Sequence, residues 1–252
     1  MSDLSPHHPG AEPLFTYREH QNGFELDADS TALVLVDLQY GSAADGYGFN
    51  RVYRELGYGD TVDRYLERVQ RTVIPNVQLL QRAFRDAGAP VIFLTVGTIT
   101  GDFSDMTPRF RRAVAFWEAR GMEPPYARFG TREMDVLDEI APVAGEPVIP
   151  KTGASGFTAS PLERVLFNVG ARSLVFGGVA TNYCVQSTLR DAADRGFDCV
   201  LAEDACADAT PAIHQVGIDS VSPFCRVASA AAIVDDITRP TSGSPTTAED
   251  ET

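Results

Sequence analysis

The chain has little of what would tie it to membranes or nucleic acids. No apolar run reaches the roughly 18 residues that a membrane-spanning helix needs. Lys plus Arg number 21 against 35 Asp plus Glu, a formal charge of −14. An acidic surface of that size repels polyanions, so neither nucleic acid nor an anionic membrane is an expected partner. The four cysteines, Cys184, Cys199, Cys206 and Cys225, show no C-x-x-C spacing, and reduced thiols are expected rather than a disulfide framework. No repeat recurs at a fixed period. The opening MSDLSPHHPGAEP lacks a basic segment followed by an apolar one, so no secretory signal is read there and the cytoplasm is the expected compartment. No G-x-G-x-x-G follows the first strand. The glycine-rich GGVATN follows the fourth, which argues against a dinucleotide site.

What is present is an ordinary apolar fraction, 44% of 252 residues, enough for one large domain. Residues 1–28 read as an arm, 29–238 as the folded domain, and the Ser/Thr/Pro-rich, acidic 239–252 as a disordered tail. Short apolar runs, read as buried strands, fall at 31–38, 90–96, 147–151, 173–179 and 197–205, with a last short strand within 225–237. Helical patterns separate them, at 62–88 (kinked or restarted at Pro75), 160–171 (capped by Ser160), 181–196 and 213–224. This alternation predicts an α/β domain with a mostly parallel sheet of about six strands and helices on both faces. In such sheets ligands bind outside the carboxyl ends of the strands.

Three chemically loaded residues fall on that edge. Asp37 ends the run VLVDLQ, where an acid is costly unless it is paired or employed. It can be a structural ion pair, or a general base or metal ligand. Lys151 ends PVIPK, either as the first solvated loop residue or as a fixed positive charge that favours a nearby thiolate. Cys184 follows the turn after SLVFGGV, in the first turn of a helix that Thr181 or Asn182 can cap. There it is either core filler or a nucleophile favoured by free N–H groups and the helix dipole. His214, Cys199, Cys206 and Cys225 read as structural, and His7, His8 and His20 as solvated.

The segments ALVLVDLQ, VIPKTGASGF, GGVATNYCVQSTLRDAADRGF and VLAEDACAD, spread from Thr31 to Ile237, resemble the isochorismatase-like cysteine hydrolases, whose fold is a Rossmann-like three-layer sandwich. The resemblance implies a catalytic triad of Asp37, Lys151 and Cys184. It also implies a cis peptide between Val179 and Ala180, with the N–H groups of Ala180 and Cys184 as oxyanion hole. Gln39, Tyr40, Phe157, Thr181 and Asn182 are the candidate pocket residues. Members that cleave a vinyl ether lack the cysteine, so its presence favours hydrolysis of a carboxamide or ureido C–N bond of a small molecule. A nicotinamidase-like deamidase, a binding protein on the same fold and a redox thiol at Cys184 are the alternatives. Nicotinamidases carry an Asp/His metal site after the second strand; LTVGTITGDFSDM has no histidine, so no metal or other cofactor is expected. Assembly into a homo-oligomer, a dimer or tetramer, is a further implication of the resemblance. The segment 40–60 reads as a lid, a pocket wall or an oligomer contact. The arginine-rich 108–121 reads as an amphipathic helix or as a device selecting substrate by charge.

Overall fold

Each apolar run expected to be a strand is one, and every pairing between strands is parallel. The computed structural model describes residues 21–158 and 160–239. The strands are β1 (Thr31–Val36), β2 (Val91–Thr98), β3 (Ala127–Arg128), β4 (Val148–Lys151), β5 (Ser173–Val179), β6 (Asp198–Ala207) and β7 (Arg226–Ala228). They form one seven-stranded sheet in the order β3-β2-β1-β5-β6-β7, with β4 also paired to β2. The seventh strand, absent from the sequence reading, is β3. It is two residues long, too short to carry a periodic signal, and it is held by Gly97 and Thr98 at the end of β2.

The central strand shows why the sheet has two covered faces. Along β1, Leu33 and Leu35 enter one apolar cluster while Ala32, Val34 and Val36 enter the other. Successive side chains of a strand point to opposite faces, so a continuous apolar run needs cover on both sides. Two helices, Ile74–Asp86 and Ala230–Ile237, cover the first face; Leu162–Asn168, Gln186–Asp194 and Pro211–Val221 cover the second.

The helices are numbered in chain order: α1 (Tyr40–Ala43), α2 (Gly48–Glu55), α3 (Gly59–Arg68), α4 (Ile74–Asp86), α5 (Pro108–Glu118), α6 (Leu162–Asn168), α7 (Gln186–Asp194), α8 (Pro211–Val221) and α9 (Ala230–Ile237). The helical pattern restarts at Pro75 as expected, with Pro75 in the first turn of α4. A π-helical turn, Val69–Val73, joins α3 to α4 immediately before it. A proline has no N–H to bond back four residues, and a widened turn accommodates the loss. Gly88, at φ +71, ends α4 as expected. Ser160 Oγ accepts from Leu162 N–H, so α6 starts one residue later than Pro161 at its first position would give.

Of the expected N-terminal arm, residues 21–28 lie within the described structure and are docked. Leu26 is buried in the first cluster and Asn22 donates to the Ser222 carbonyl. The three arm histidines and nearly all of the acidic tail lie outside the described residues. The segment 40–60 forms α1, α2 and the start of α3.

Candidate active site

The strand order reverses at β1 and β5: the chain runs from β1 outward to β2 on one side, and from β5 outward through β6 and β7 on the other. A crevice opens at the carboxyl ends of two such strands. Asp37 follows β1 and Cys184 follows β5. Gly178 lets these two ends meet. It sits at φ +127, and a Cβ there would lie 2.1 Å from the Val36 carbonyl oxygen. No other residue fits that approach.

Asp37 is a non-glycine residue at φ +52, a sparsely populated conformation. Its N–H still bonds to the Leu94 carbonyl of β2 at 2.9 Å. The left-handed turn therefore redirects the chain without releasing it from the sheet. Lys151 ends β4 opposite Val96 of β2. Its side chain is wholly buried, donating to Asp37 Oδ2 at 2.8 Å and to the Gly153 carbonyl at 3.1 Å. Asp37 Oδ1 is buried without a hydrogen-bond partner. Cys184 is the third member of the group, close enough to interact with both the carboxylate and the ammonium.

Burial raises the Asp37 pKa, and Lys151 offsets only part of the rise. Burial alone would lower Lys151; the facing Asp37, with Cys184 behind it, outweighs burial and holds the ammonium above its ordinary value. For Cys184, burial pushes the thiol well up, Lys151 pulls it back, and Asp37 pushes it up again. Lys151 thus favours the thiolate as expected, and burial opposes it. The removal of the sulfur from water exceeds the help of one cation already neutralised by a carboxylate. The site sets a thiol that burial pushes up beside an ion pair whose acid has one oxygen free.

The turn that carries Cys184 also differs from expectation. It is a π-helical turn, Thr181–Val185, continued by α7. Neither Thr181 nor Asn182 caps it with a side chain; the cap is Ala180, whose carbonyl accepts from the N–H groups of Tyr183 and Val185 and passes over that of Cys184. The Val179–Ala180 peptide is cis. Thr181 Oγ1 is instead 2.8 Å from His214 Nδ1, and His214 Nε2 is 2.8 Å from Arg68 Nη2. Arg68 has only N–H groups to offer. It therefore donates to Nε2, and the proton of a neutral imidazole lies on Nδ1, facing Thr181. Burial, then Arg68, push the His214 pKa down to about 4. Asp208 Oδ2 accepts from the Asn182 N–H at 2.7 Å. His214 and Asp208, both read as unremarkable or passed over in sequence, thus hold the turn from α8 and from the end of β6.

A cavity of about 380 Å³ opens onto Asp37, Val179, Ala180 and Cys184. Its walls come from the segment 40–65 (Phe49, Tyr53 and Tyr65 among them) and from Phe110, Tyr126, Tyr183 and Asp208. None of the five candidate pocket residues lines it. Gln39 bonds to the backbone of Val96 through both ends of its amide, extending the edge of β2. Tyr40 turns to Arg132 and Phe157 packs against Phe197 in the second cluster. Thr181 serves His214, and Asn182 is exposed. Tyr183, next to Cys184 in sequence, does line the cavity, but most of the aromatic wall arrives from helices packed above the edge. Among the described residues, no group of three or more His, Cys, Asp or Glu side chains is arranged to hold a metal ion.

One signal in the sequence went unused. Of the 21 basic residues, Lys151 is the only lysine; the other 20 are arginines. Arginine serves at the surface, but a compact ammonium on a flexible stem fits a sealed site that a planar guanidinium would not.

A parallel α/β sheet that sets an acid, an ammonium and a thiol around one cavity at its switch point has the architecture of a hydrolase with a cysteine at its centre. The family comparison agrees. A model of the isochorismatase domain matches residues 31–232, and the chain belongs to the isochorismatase family of hydrolases. It is 32% identical over 242 residues to the ureidoacrylate amidohydrolase RutB of Variovorax paradoxus (strain S110), covering 93% of this chain and 90% of that one. A cysteine hydrolase from Pseudomonas syringae pv. phaseolicola 1448A shares the fold at TM-score 0.67 and 21% identity, over 85% of this chain and 95% of that one. The N-carbamoylsarcosine amidase of Thermoplasma acidophilum shares it at TM-score 0.56 and 23% identity, over 80% and 96%.

Proposed function

We propose that the protein hydrolyses a carboxamide or ureido C–N bond of a small molecule through a thioester on Cys184. The observation that carries this reading is the division of labour in Asp37. Oδ2 is held by Lys151, while Oδ1 is buried with no partner, and the Cys184 thiol lies close enough to interact with the carboxylate. A buried acceptor without a partner is costly, and here it is the natural destination of the Cys184 proton. The relatives support the same bond class, since one is named for action on a ureido compound and the other on a carbamoyl compound.

In this reading the reaction runs in two halves, acylation and hydrolysis of the thioester. Asp37 takes the thiol proton as the sulfur attacks the carbonyl carbon, and Lys151 keeps the pair from repelling the developing charge. The tetrahedral oxyanion is held by the N–H groups of Ala180 and Cys184, the latter passed over by the Ala180 carbonyl. The C–N bond breaks, Asp37 returns the proton to the departing nitrogen, and ammonia or an amine leaves. A water then gives a proton to Asp37 and its oxygen to the acyl carbon. The C–S bond breaks, the acid product leaves, and the proton on Asp37 goes back to the sulfur.

The test is an ammonia-release screen over ureido compounds, biuret-like compounds and aromatic amides, with Cys184→Ala in parallel. Release from one class that is lost in the variant is the expected result. Release that persists in the variant contradicts the scheme. Release from aromatic amides alone moves the substrate class to that of the deamidases.

A further inference from the structure

We propose that Arg109 selects substrates that carry a carboxylate, binding it at the rim of the cavity while the scissile carbonyl lies at Cys184. The inference rests on the hydrolytic reading for its substrate and names the substrate's charge.

The charges inside the cavity are of one sign. Asp37 and Asp208 line it. Lys151 lies behind Asp37, wholly buried and paired. Asp208 holds the N–H groups of Asn182 and Ala209. No side-chain cation lines the cavity to receive a carboxylate, and the chain as a whole, at −14, repels one.

The rim is different. The guanidinium of Arg109, at the start of α5, lies 4.7 Å from the Tyr183 ring centroid and 5.0 Å from that of Phe110. Both rings are walls of the cavity, and the Arg109 charge also acts on Tyr126, a third wall. Tyr183 immediately precedes the nucleophile. Stacking on two rings fixes the guanidinium in place. Arg109 is exposed and forms no salt bridge among the described residues, as is also true of Arg111 and Arg112 on the same helix; what distinguishes it is that it lies over the rings of Tyr183 and Phe110, two walls of the cavity. In a chain this acidic, a fixed cation without an acid is a vacancy for an anion. Phe110 and Tyr126 meet edge to face at 5.1 Å. Those rings offer flat apolar surface, which suits a planar body between the reacting carbonyl and the carboxylate.

Two measurements test this. The first compares steady-state kinetics of wild type, Arg109→Gln and Arg109→Lys on an unsaturated ureido acid and on its uncharged methyl ester. The glutamine variant is expected to raise KM for the acid by about 5- to 50-fold, the span of one partly screened charge contact. It should leave kcat and the ester within twofold, and lysine should restore part of the loss. Equal effects on acid and ester would overturn the proposal. The second needs no turnover. Iodoacetate and iodoacetamide alkylate Cys184 with loss of iodide and differ mainly in charge. Arg109→Gln is expected to slow iodoacetate by a similar factor and spare iodoacetamide, with added salt narrowing the difference. An unchanged ratio of the two rates overturns the proposal. A changed ratio in a protein that hydrolyses nothing would sustain the charge selection and sink the hydrolytic reading instead.

Discussion

Cys184 and Cys199 belong to the same apolar cluster and are almost equally hidden, at 5% and 2% exposed. Burial pushes both thiols above their ordinary range. They sit at opposite ends of the sheet. Cys199 pairs with Leu174 near the start of β5 and its Sγ–H faces the carbonyls of Leu189 and Phe197. Cys184 follows the far end of β5, with an acid and an ammonium as neighbours. Burial therefore does not separate filler from the proposed nucleophile. What separates them is whether the proton has somewhere to go: a backbone carbonyl accepts a hydrogen bond but never a proton, while Asp37 accepts either.

The contrast can be broken most sharply at Lys151. Lys151→Met leaves Asp37 buried without its counter-charge, a loss of about 3–5 kcal/mol in buried pairs. Denaturant unfolding should show that drop, and the surviving folded enzyme should lose its base, because an unpaired buried carboxyl takes up a proton. Asp37→Asn keeps the shape and removes the acceptor. Its kcat should fall by about 100- to 10,000-fold. Because burial raises Asp37 above 3.8 and the proposed mechanism uses it as the carboxylate, the wild-type rate should fall on the acid side at a pH above that value. A pH–rate profile measures this.

At the other end of the sheet the effects should be smaller and purely structural. Cys199→Ala should cost about 1–2 kcal/mol in unfolding experiments, with kcat/KM unchanged. A fall in kcat/KM there would dissolve the distinction between the two thiols. The mildest effect is alkaline. Cys206 and Cys225 are pushed up to about 12 by burial, from 9.0. A native pKa raised above the unfolded one gives stability that is whole below the unfolded value. It is lost as pH rises from about 9 toward 12. The Tm should therefore decline across that window, and less so in Cys225→Ala.

The same contrast explains how much could be read from sequence. Strands β1, β2, β5 and β6 were legible because a strand covered on both faces must be a continuous apolar run. Asp37, Lys151 and Cys184 were legible because each is a polar or reactive residue just where such a run stops. The cavity was not. Its walls are Phe49, Tyr65, Phe110 and Tyr126, brought from α2, α3, α5 and the approach to β3, and no local pattern marks which face of a short helix will overhang a strand end. The pocket candidates beside the triad failed for a reason of geometry: Gln39, Thr181 and Asn182 are spent on building the two turns. The charge near Cys184 was legible too, but not the loss of water around its sulfur, which pushes the thiol up.

The most direct test of the central claim is the mass of the protein quenched during turnover of a ureido substrate. The account predicts an acyl adduct on the peptide containing Cys184, none on the peptides of Cys199, Cys206 or Cys225, and neither adduct nor turnover in Cys184→Ala. Turnover by that variant, or an adduct elsewhere in its place, would contradict it.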